Sequence, residues 1–389
     1  MEALEVQPWR DFWKAVGAPA KDIANSWRAF AARHARAAAP LITTLAQCAA
    51  RHRYTALFLI AERTGMGLCA LRTLADRRAD SDVRYDDDDD PWELRELPRD
   101  ERDGLPAPPY TSSRPHTGFP QLPLGGLRVV ESTRGVQGPL ATSVLQALGA
   151  HVIRIEQPGG DPSRGAAPLA GGVSARFAAL NAGKEIRQTD IRTAAGRSAG
   201  AETVAETDVF LHTWAPGEAA RLRLDEEDLA RARHTVRTPD GTPAPSLVTL
   251  LDVLGGHLAA ESVLAALLAR ESGAATGRLR VDSSLLGASR GLLRPLLRGL
   301  DEAPGTQPAE AGLVAPTAEG LIAVGAGAGT TPAELATAPT AAWLGRLHAA
   351  GIPARAVVTD LAALPQDPAL SAYFTHDGCA RPTPPWSFA

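Results

Sequence analysis

The stretch GLRVVESTRGVQGPLATSVLQALGAHVIRIEQPGGDPSRG, residues 126–165, decides the fold class. An apolar run, LRVVEST, precedes a segment with helical periodicity, GPLATSVLQALGA, and a second apolar run, HVIRIE, follows it. Strand, helix and strand in this order predict two parallel strands joined by a crossover helix. The second strand ends at Glu156, and a glycine-proline loop with Asp161 and Arg164 comes next.

The first turn of this unit differs from that of a dinucleotide-binding fold. Such folds carry G-x-G-x-x-G there, whereas the turn here reads STRGVQGPLAT. An acidic residue at a strand end still indicates a ligand at the carboxyl edge of the sheet, where open α/β sheets bind. The sequence therefore predicts a nucleotide-type site for a ligand other than a dinucleotide.

The same alternation continues downstream and sets the domain organisation. Helix SARFAAL, strand IRQTDI, helix TAAGRSAGAETVAE and strand DVFLHTW extend a mostly parallel sheet. We expect five regions along the chain. They are a helical module (1–85), an acidic and then proline-rich linker (86–122), a Rossmann-like domain (123–235), a helical segment (236–305) and a small α+β domain (306–389).

Composition excludes several classes of function. The chain has 389 residues and a net charge of -4, which gives no general attraction to nucleic acid or to membranes. No apolar run reaches membrane-spanning length, and the N-terminus lacks the apolar core of a signal peptide, so we expect a cytoplasmic protein. Three scattered cysteines indicate neither a disulfide framework nor a zinc site. The acidic run Asp86–Asp90 is typical of a solvated segment rather than of a metal site.

Three single residues leave alternatives open. Asp252, in LVTLLDVLGGHLAAESVL, is either a helix N-cap or a partly desolvated nucleophile. His212, at the end of DVFLHTW, is either a ligand-site residue or a polar cap of the sheet. Ser289, in GASRG, matches a nucleophile elbow, but helical periodicity on both sides places it within a helix and argues against a serine hydrolase.

Taken in order, these blocks resemble the family III CoA-transferases. The opening stretch has the family's Gly138-Pro139 step, GA.VI..E.P and GD..R. LNAGKEIRQTDIRTAAGR resembles the family's L-N-x-x-K block, and DVFLHTWAPGEAARLRL resembles its D-V-x-x-N-F-x-P-G block. LDVLGGHLAAESVLAALLARESGAATGRLRVDSSLL resembles the helix block with the catalytic aspartate.

The resemblance implies a fold, a ligand and a set of site residues. The fold would be α/β, with a Rossmann-like, mostly parallel domain, a smaller α+β domain and an interlocked homodimer. Coenzyme A or acyl-CoA would be a substrate, with no permanently bound cofactor and no metal. Asp252 would be the catalytic nucleophile, and the amides of Val253–Gly256 would hold oxyanions. The implied CoA contacts are Val136, Gln137, Lys184, Thr213, Trp214 and Arg221.

The chain also departs from the family pattern. After LDEEDLARAR it lacks the segment that carries the racemases' histidine-aspartate pair, so racemisation is disfavoured. Residues 62–83 and 348–370 follow one plan, and the N-terminal module resembles the family's C-terminal region. These departures leave two alternatives to CoA transfer. One is dehydration, isomerisation or cyclisation of a thioester-bound substrate, and the other is a non-catalytic partner subunit.

Overall fold

The structure of the chain is a computed structural model. It describes residues 1, 3, 6–31, 42–70, 91–97, 122–166, 168–205, 207–214, 236–237, 243–244, 249–292, 313–325, 328–358, 361–368, 370–377, 379–384 and 386. The chain divides into two compact units. The first comprises Met1–Val236 and Pro243–Gly291, and the second comprises Arg237–Thr242 and Leu292–Ala389.

The elements alternate between helix and strand through the middle of the chain, as the sequence predicts. The helices are α1 Val6–Ala15, α2 Ala20–Ala31, α3 Thr43–Ala50, α4 Tyr54–Thr64, α5 Gln137–Ala147, α6 Ala175–Asn181, α7 Ala194–Ala205, α8 Leu250–Glu271, α9 Pro332–Leu335 and α10 Thr340–Ala349. The strands are β1 Trp92–Glu96, β2 Arg128–Ser132, β3 His151–Glu156, β4 Leu169–Ala170, β5 Val173–Ser174, β6 Glu185–Gln188, β7 Val209–His212, β8 Val236–Arg237, β9 Pro243–Ala244, β10 Leu279–Ser283, β11 Val314–Pro316, β12 Leu321–Val324, β13 Ala354–Ala356, β14 Phe374–Asp377 and β15 Cys379–Pro382. Short 3-10 turns cover Pro162–Gly165, Leu361–Gln366 and Ser371–Tyr373.

A four-stranded parallel sheet forms the centre of the first unit. Its strand order is β6-β3-β2-β7, with β2 and β3 inside. Because side chains alternate across a strand, Val129 and Val152 point to one face and pack with α5 and α8. Val130 and Ile153 point to the other face and pack with Ile191 and with Val204 of α7. The predicted α/β class with a parallel sheet is confirmed.

The N-terminal helices have a separate aromatic core. Trp9 is fully buried and stacks on Phe30 with ring centroids 4.2 Å apart, and its indole N–H donates to Ser26 Oγ at 3.2 Å. Phe12, Trp13 and other apolar residues of α1–α4 complete this cluster. The described part of the predicted helical module is therefore a packed helical assembly.

The two copies of the predicted repeat share one helix ending. Gly65 after α4 and Gly351 after α10 both have φ of +72°, a conformation that favours glycine. Beyond each glycine an amide donates to a carbonyl five residues earlier, Met66 to Ala61 at 2.9 Å and Ile352 to Leu347 at 2.8 Å. The remainder of the first copy, residues 71–83, lies outside the described residues.

Strand β1 lies inside the segment predicted as an extended linker. It pairs antiparallel with β10, with Trp92 opposite Ser283 and Glu96 opposite Leu279. Arg95 donates to Asp282 across the pair at 2.7 Å. The sequence prediction missed this strand because its partner lies almost 190 residues away. The acidic run Asp86–Asp90 itself lies outside the described residues.

Contrary to the expectation that no apolar run reaches membrane-spanning length, helix α8 is long and apolar enough to cross a membrane by length and composition alone. In the structure it packs lengthwise on α5, where Ala260 and Val263 join Ala141 and Leu145 in the same cluster. Packing against α5 within the first unit accounts for the apolar residues on this face of α8.

The second unit is an α+β arrangement. Strands β11, β12 and β13 form an antiparallel sheet, with β12 in the centre. Ile322 and Val324 of the sheet pack with Leu335 of α9 and Leu347 of α10.

Candidate functional site

A cavity of about 280 Å³ opens at the carboxyl ends of the parallel strands. This is the edge at which open α/β sheets bind ligands, and the sequence predicts a site there. Its walls come from the ends of β2, β3 and β7, the residues after β6, and the loop after β3. The lining residues are Ser132, Thr133, Arg134, Arg154, Ile155, Glu156, Gln157, Gly160, Asp161, Pro162, Thr189, Ile191, Arg192, Thr213 and Trp214.

Aromatic rings form the β7 side of the cavity. Trp214 stacks on His212 with centroids 4.6 Å apart and meets Phe210 edge-on at 5.8 Å. The Trp214 indole N–H donates to Ser132 Oγ at 3.1 Å, which fixes the ring's orientation. Burial and the nearby Arg280 lower the pKa of His212, with Asp282 opposing them. His212 therefore supports the aromatic wall as a largely neutral ring.

The opposite wall is the loop of residues 157–165, which we call the rim loop. Gly159 and Gly160 have φ of +91° and +84°, so the backbone turns back sharply after Gln157. Arg164 makes a two-pronged contact with Glu156, at 2.9 to 3.1 Å, and lies 4.2 Å from the Phe177 ring centre. These contacts attach the far end of the loop to the end of β3.

Arg154, Glu156 and Asp161 form the charged floor of the cavity, and the buried Glu131 bonds to Arg154. Glu131 and Arg154 are opposite each other on β2 and β3, and their side chains are 0% and 1% exposed. The Arg154 guanidinium donates to Glu131 at 2.9 Å, to Glu156 at 3.0 Å and to Asp161 at 2.6 Å. Burial by itself raises the pKa of Glu131, but Lys184 and Arg154 hold it below its ordinary value. The floor is therefore a compensated ionic network.

Lys184 belongs to this buried network. Its ammonium lies within 3.2 Å of Glu131, Thr142, Asn181 and the Pro139 carbonyl, and its side chain is 0% exposed. Burial lowers the pKa of Lys184 to about 8, with Glu131 partly offsetting the effect. All three donors of the ammonium have partners within the protein. Contact between Lys184 and CoA phosphates stays a prediction.

Val136 and Gln137 lie where the β2–α5 turn meets helix α8. Val136 is the N-cap of α5 and Gln137 is its first residue. The turn is tight, because a Cβ on Gly138 would lie 2.6 Å from Thr133 Cβ and 2.9 Å from Thr213 Cγ2. Thr213 Oγ1 also accepts from the Arg134 amide at 3.1 Å. Thr213 and Trp214 line the cavity, and the predicted Val136 and Gln137 stand just beyond its Thr133–Arg134 side.

Helices α5 and α8 meet closely at a pair of glycines. A Cβ on Gly255 would lie 3.0 Å from Gln137 Nε2, and one on Gly256 would lie 2.9 Å from the Gln137 carbonyl oxygen. Further along, Ala141 and Leu145 of α5 pack with Ala260 and Val263 of α8. The two helices therefore run in the same direction, with their N-termini at the same end.

Asp252 occupies the first turn of α8 and is half-buried. The alternative that it caps the helix is wrong, because the N-cap is Thr249. Asp252 precedes Gly255 by three residues, so both lie on the face of α8 that meets the start of α5. The Val253 amide donates to the Thr249 carbonyl at 3.0 Å, and so the oxyanion prediction for Val253 is wrong.

The remaining predictions concern residues away from this edge. Arg221 lies outside the described residues, and its contact with CoA stays a prediction. Ser289 lies in a helix that includes residues 285–292 and is 1% exposed, as the argument against a nucleophile elbow expects. Within the described ranges, no group of three or more histidine, cysteine or acidic side chains is placed to hold a metal.

Sequence reasoning missed the roles of Glu131 and Arg154. Glu131 follows two valines in VVES, and Arg154 lies between two isoleucines in VIRIE, each within a buried strand. A buried charge needs a partner, and charges on neighbouring strands meet when they share a face. That pattern signals a buried ion pair, although the register that joins the two residues needs the structure.

Known proteins resemble both the sequence and the fold. Residues 124–236 match the model of CoA-transferase family III. A probable fatty acyl-CoA transferase of Mycobacterium tuberculosis is 33% identical over 196 residues, which cover 40% of this chain and 49% of that protein. An acetyl-CoA:oxalate CoA-transferase of Acetobacter aceti is 36% identical over 113 residues, which are 29% of each chain. The chain thus spans about half or less of the length of these relatives.

Solved structures agree on the fold. A CaiB/BaiF family protein from Brucella suis superposes with a TM-score of 0.59 at 22% identity, over 69% of this chain and 93% of that one. A hypothetical protein from Mycobacterium tuberculosis gives a TM-score of 0.55, also at 22% identity and over 69% of this chain and 94% of that one. The resemblance drawn from the sequence is confirmed: residues 124–236 of this chain are similar to CoA-transferase family III.

Proposed function

We propose that the chain is a CoA-transferase that moves CoA between an acyl-CoA and a carboxylic acid, with Asp252 as the nucleophile. The observation that carries this proposal is the meeting of α5 and α8 beside the cavity. Their N-termini lie at the same end, and Asp252 is in the first turn of α8, one turn before the glycines that lie against Gln137. The amides at helix N-termini favour negative charge, so this end of the helix pair suits a carboxylate and the oxyanions formed on it.

The cavity suits the nucleotide end of coenzyme A. Trp214 offers an aromatic surface, although His212 covers one of its faces. Arg134 and Arg192 bring cations to the lining, where phosphates would lie. The tight turn through Gly138 separates this cavity from the helix ends at Asp252. An extended thioester arm running past Val136 and Gln137 would join the two places.

The chemistry is a sequence of acyl exchanges on one carboxylate. An Asp252 oxygen attacks the donor thioester carbonyl, the carbon–sulfur bond breaks, and a mixed anhydride and CoA thiolate form. The thiolate then attacks the aspartyl carbonyl and expels the donor carboxylate, leaving an aspartyl-CoA thioester. The acceptor carboxylate attacks that thioester in the same way, and the returning thiolate carries away the acceptor acyl group. No proton is gained or lost over the cycle.

Trapping the aspartyl thioester tests the proposal. The protein is incubated with acyl-CoA, treated with hydroxylamine and digested, and the Asp252 peptide is analysed by mass spectrometry. We expect a hydroxamate on Asp252, and loss of both hydroxamate and transfer in Asp252→Asn. The exposed Glu261 on the same helix provides the control, Glu261→Gln, which should react as the wild type does. Transfer that survives in Asp252→Asn, with no label at residue 252, would refute the mechanism.

We also propose that the protein acts as a homodimer, as the family resemblance implies. Light scattering during size-exclusion chromatography measures the mass directly. We expect twice the 40.7 kDa of the single chain. A mass equal to that of one chain at micromolar protein concentration would contradict the dimer proposal. It would not bear on the proposed reaction at Asp252.

A further inference from the structure

Arg154 bonds to the rim loop, to the turn that follows β2, and to the ends of β2 and β3. Nη2 donates to Asp161 of the rim loop at 2.6 Å. Nη1 donates to Thr133 at 3.2 Å, at the start of the turn that leads into α5, and to Glu131 at 2.9 Å. Nε donates to Glu156 at the end of β3. The guanidinium therefore joins three separate pieces of chain at the carboxyl edge of the sheet.

The rim loop has few other ties to the sheet. Asp161 bonds within the loop, accepting from the Ser163 amide at 2.8 Å and from the Ser163 hydroxyl at 2.6 Å. Gly160 donates to the Gln157 carbonyl, which is also within the loop. The ion pair between Arg164 and Glu156 holds the far end of the loop. Its middle reaches the sheet through the contact between Asp161 and Arg154.

We propose that Arg154 is a positioning residue, which sets the spacing between the rim loop and the β2–α5 turn and so shapes the cavity for its ligand. That the ligand is coenzyme A rests on the proposed function. The residue is 1% exposed, so it acts through Asp161 and Thr133 rather than by broad contact with a ligand. The planar guanidinium spreads its donors over three nitrogens and reaches its four partners in fixed directions, whereas the lysine ammonium places all its donors on one nitrogen.

Substituting Arg154 with lysine tests the geometry while keeping the charge beside Glu131. We expect Arg154→Lys to raise the Kd for CoA and the KM for acyl-CoA at least tenfold, with kcat changed less than threefold. The control is Arg187→Lys on β6, where the arginine pairs with Glu185 at 2.7 Å and is 38% exposed. We expect wild-type constants for this control. A folded Arg154→Lys with unchanged Kd and KM would overturn the proposal.

Hydrogen exchange gives a second readout, which does not depend on CoA. The Gly160 and Ser163 amides should exchange at least tenfold faster in Arg154→Lys, with no change in β2 or β3. If Arg154→Lys does not fold, Asp161→Asn removes the same tie from the loop side and should give the same exchange pattern and the same loss of affinity. Wild-type exchange of these amides in a folded Asp161→Asn would overturn the proposal. If the wild-type protein binds no CoA, the proposed function fails, and the exchange pattern alone decides the role of Arg154.

Discussion

Replacing Gly256 with alanine tests whether the glycine pair allows α5 and α8 to approach. The added Cβ would lie 2.9 Å from the Gln137 carbonyl oxygen and 3.0 Å from Leu140 Cβ, atoms that move only with the helix. Overpacking of this kind costs about 1–3 kcal/mol, and the better helix propensity of alanine returns about 1 kcal/mol. We expect Gly256→Ala to lower the free energy of unfolding by about 1 kcal/mol.

Gly200→Ala on α7 is the matched control. Its Cβ would meet only Ile191 Cγ2, at an ordinary 3.7 Å, so the gain in helix propensity is unopposed. We expect Gly200→Ala to raise stability by up to about 1 kcal/mol. Urea unfolding followed by circular dichroism measures both variants against the wild type. Equal stability of Gly256→Ala and Gly200→Ala would refute the close-approach argument.

Two further predictions concern Lys184 and Trp214. The pKa of Lys184 is lowered from its ordinary 10.5 to about 8, so between these values the unfolded chain holds a proton that the folded chain has released. The free energy of unfolding should therefore rise with pH across this window, by up to about 1.4 kcal/mol per pH unit, relative to Lys184→Met. Urea titrations at pH 7.5, 8.5 and 9.5 measure the free energy of unfolding of the wild type and of Lys184→Met. The same pH dependence in both proteins would contradict the prediction. Trp214→Ala should weaken CoA binding by about 1–3 kcal/mol if the indole stacks on the base, and unchanged titration calorimetry would contradict that.

Local patterns were sufficient to predict most of the central sheet. Alternating and continuous apolar runs predicted β2 and β3, and helical spacing predicted α5 between them. The glycine endings of α4 and α10 were also predicted, because a helix stop is a local signal. Strand β1 was missed for the opposite reason. Its backbone bonds to β10, and a partner so far along the chain leaves no trace in the five residues of the strand.

The sequence likewise predicted some features of the candidate site and not others. The family-like blocks pointed to Asp252, Gln137 and Trp214. The structure places Trp214 in the cavity lining and sets Gln137 against Gly255 and Gly256 of the helix whose first turn holds Asp252. Gly255 and Gly256 allow α8 to pack closely on α5, which the sequence did not predict. Spacing along one helix cannot show which neighbouring helix occupies the room that a glycine leaves.

By itself the sequence determined the α/β class and the order of strand and helix through residues 126–214. Those properties follow from periodicity and from short motifs, which are complete within a few neighbouring residues. Only the tertiary structure decided which charges meet in the buried network beneath the cavity. Glu131 lies 23 positions before Arg154 and 53 positions before Lys184 along the chain. The three meet because parallel pairing sets β2 on one side of β3, and β6, which Lys184 directly precedes, on the other. Burial then makes each charge dependent on the others.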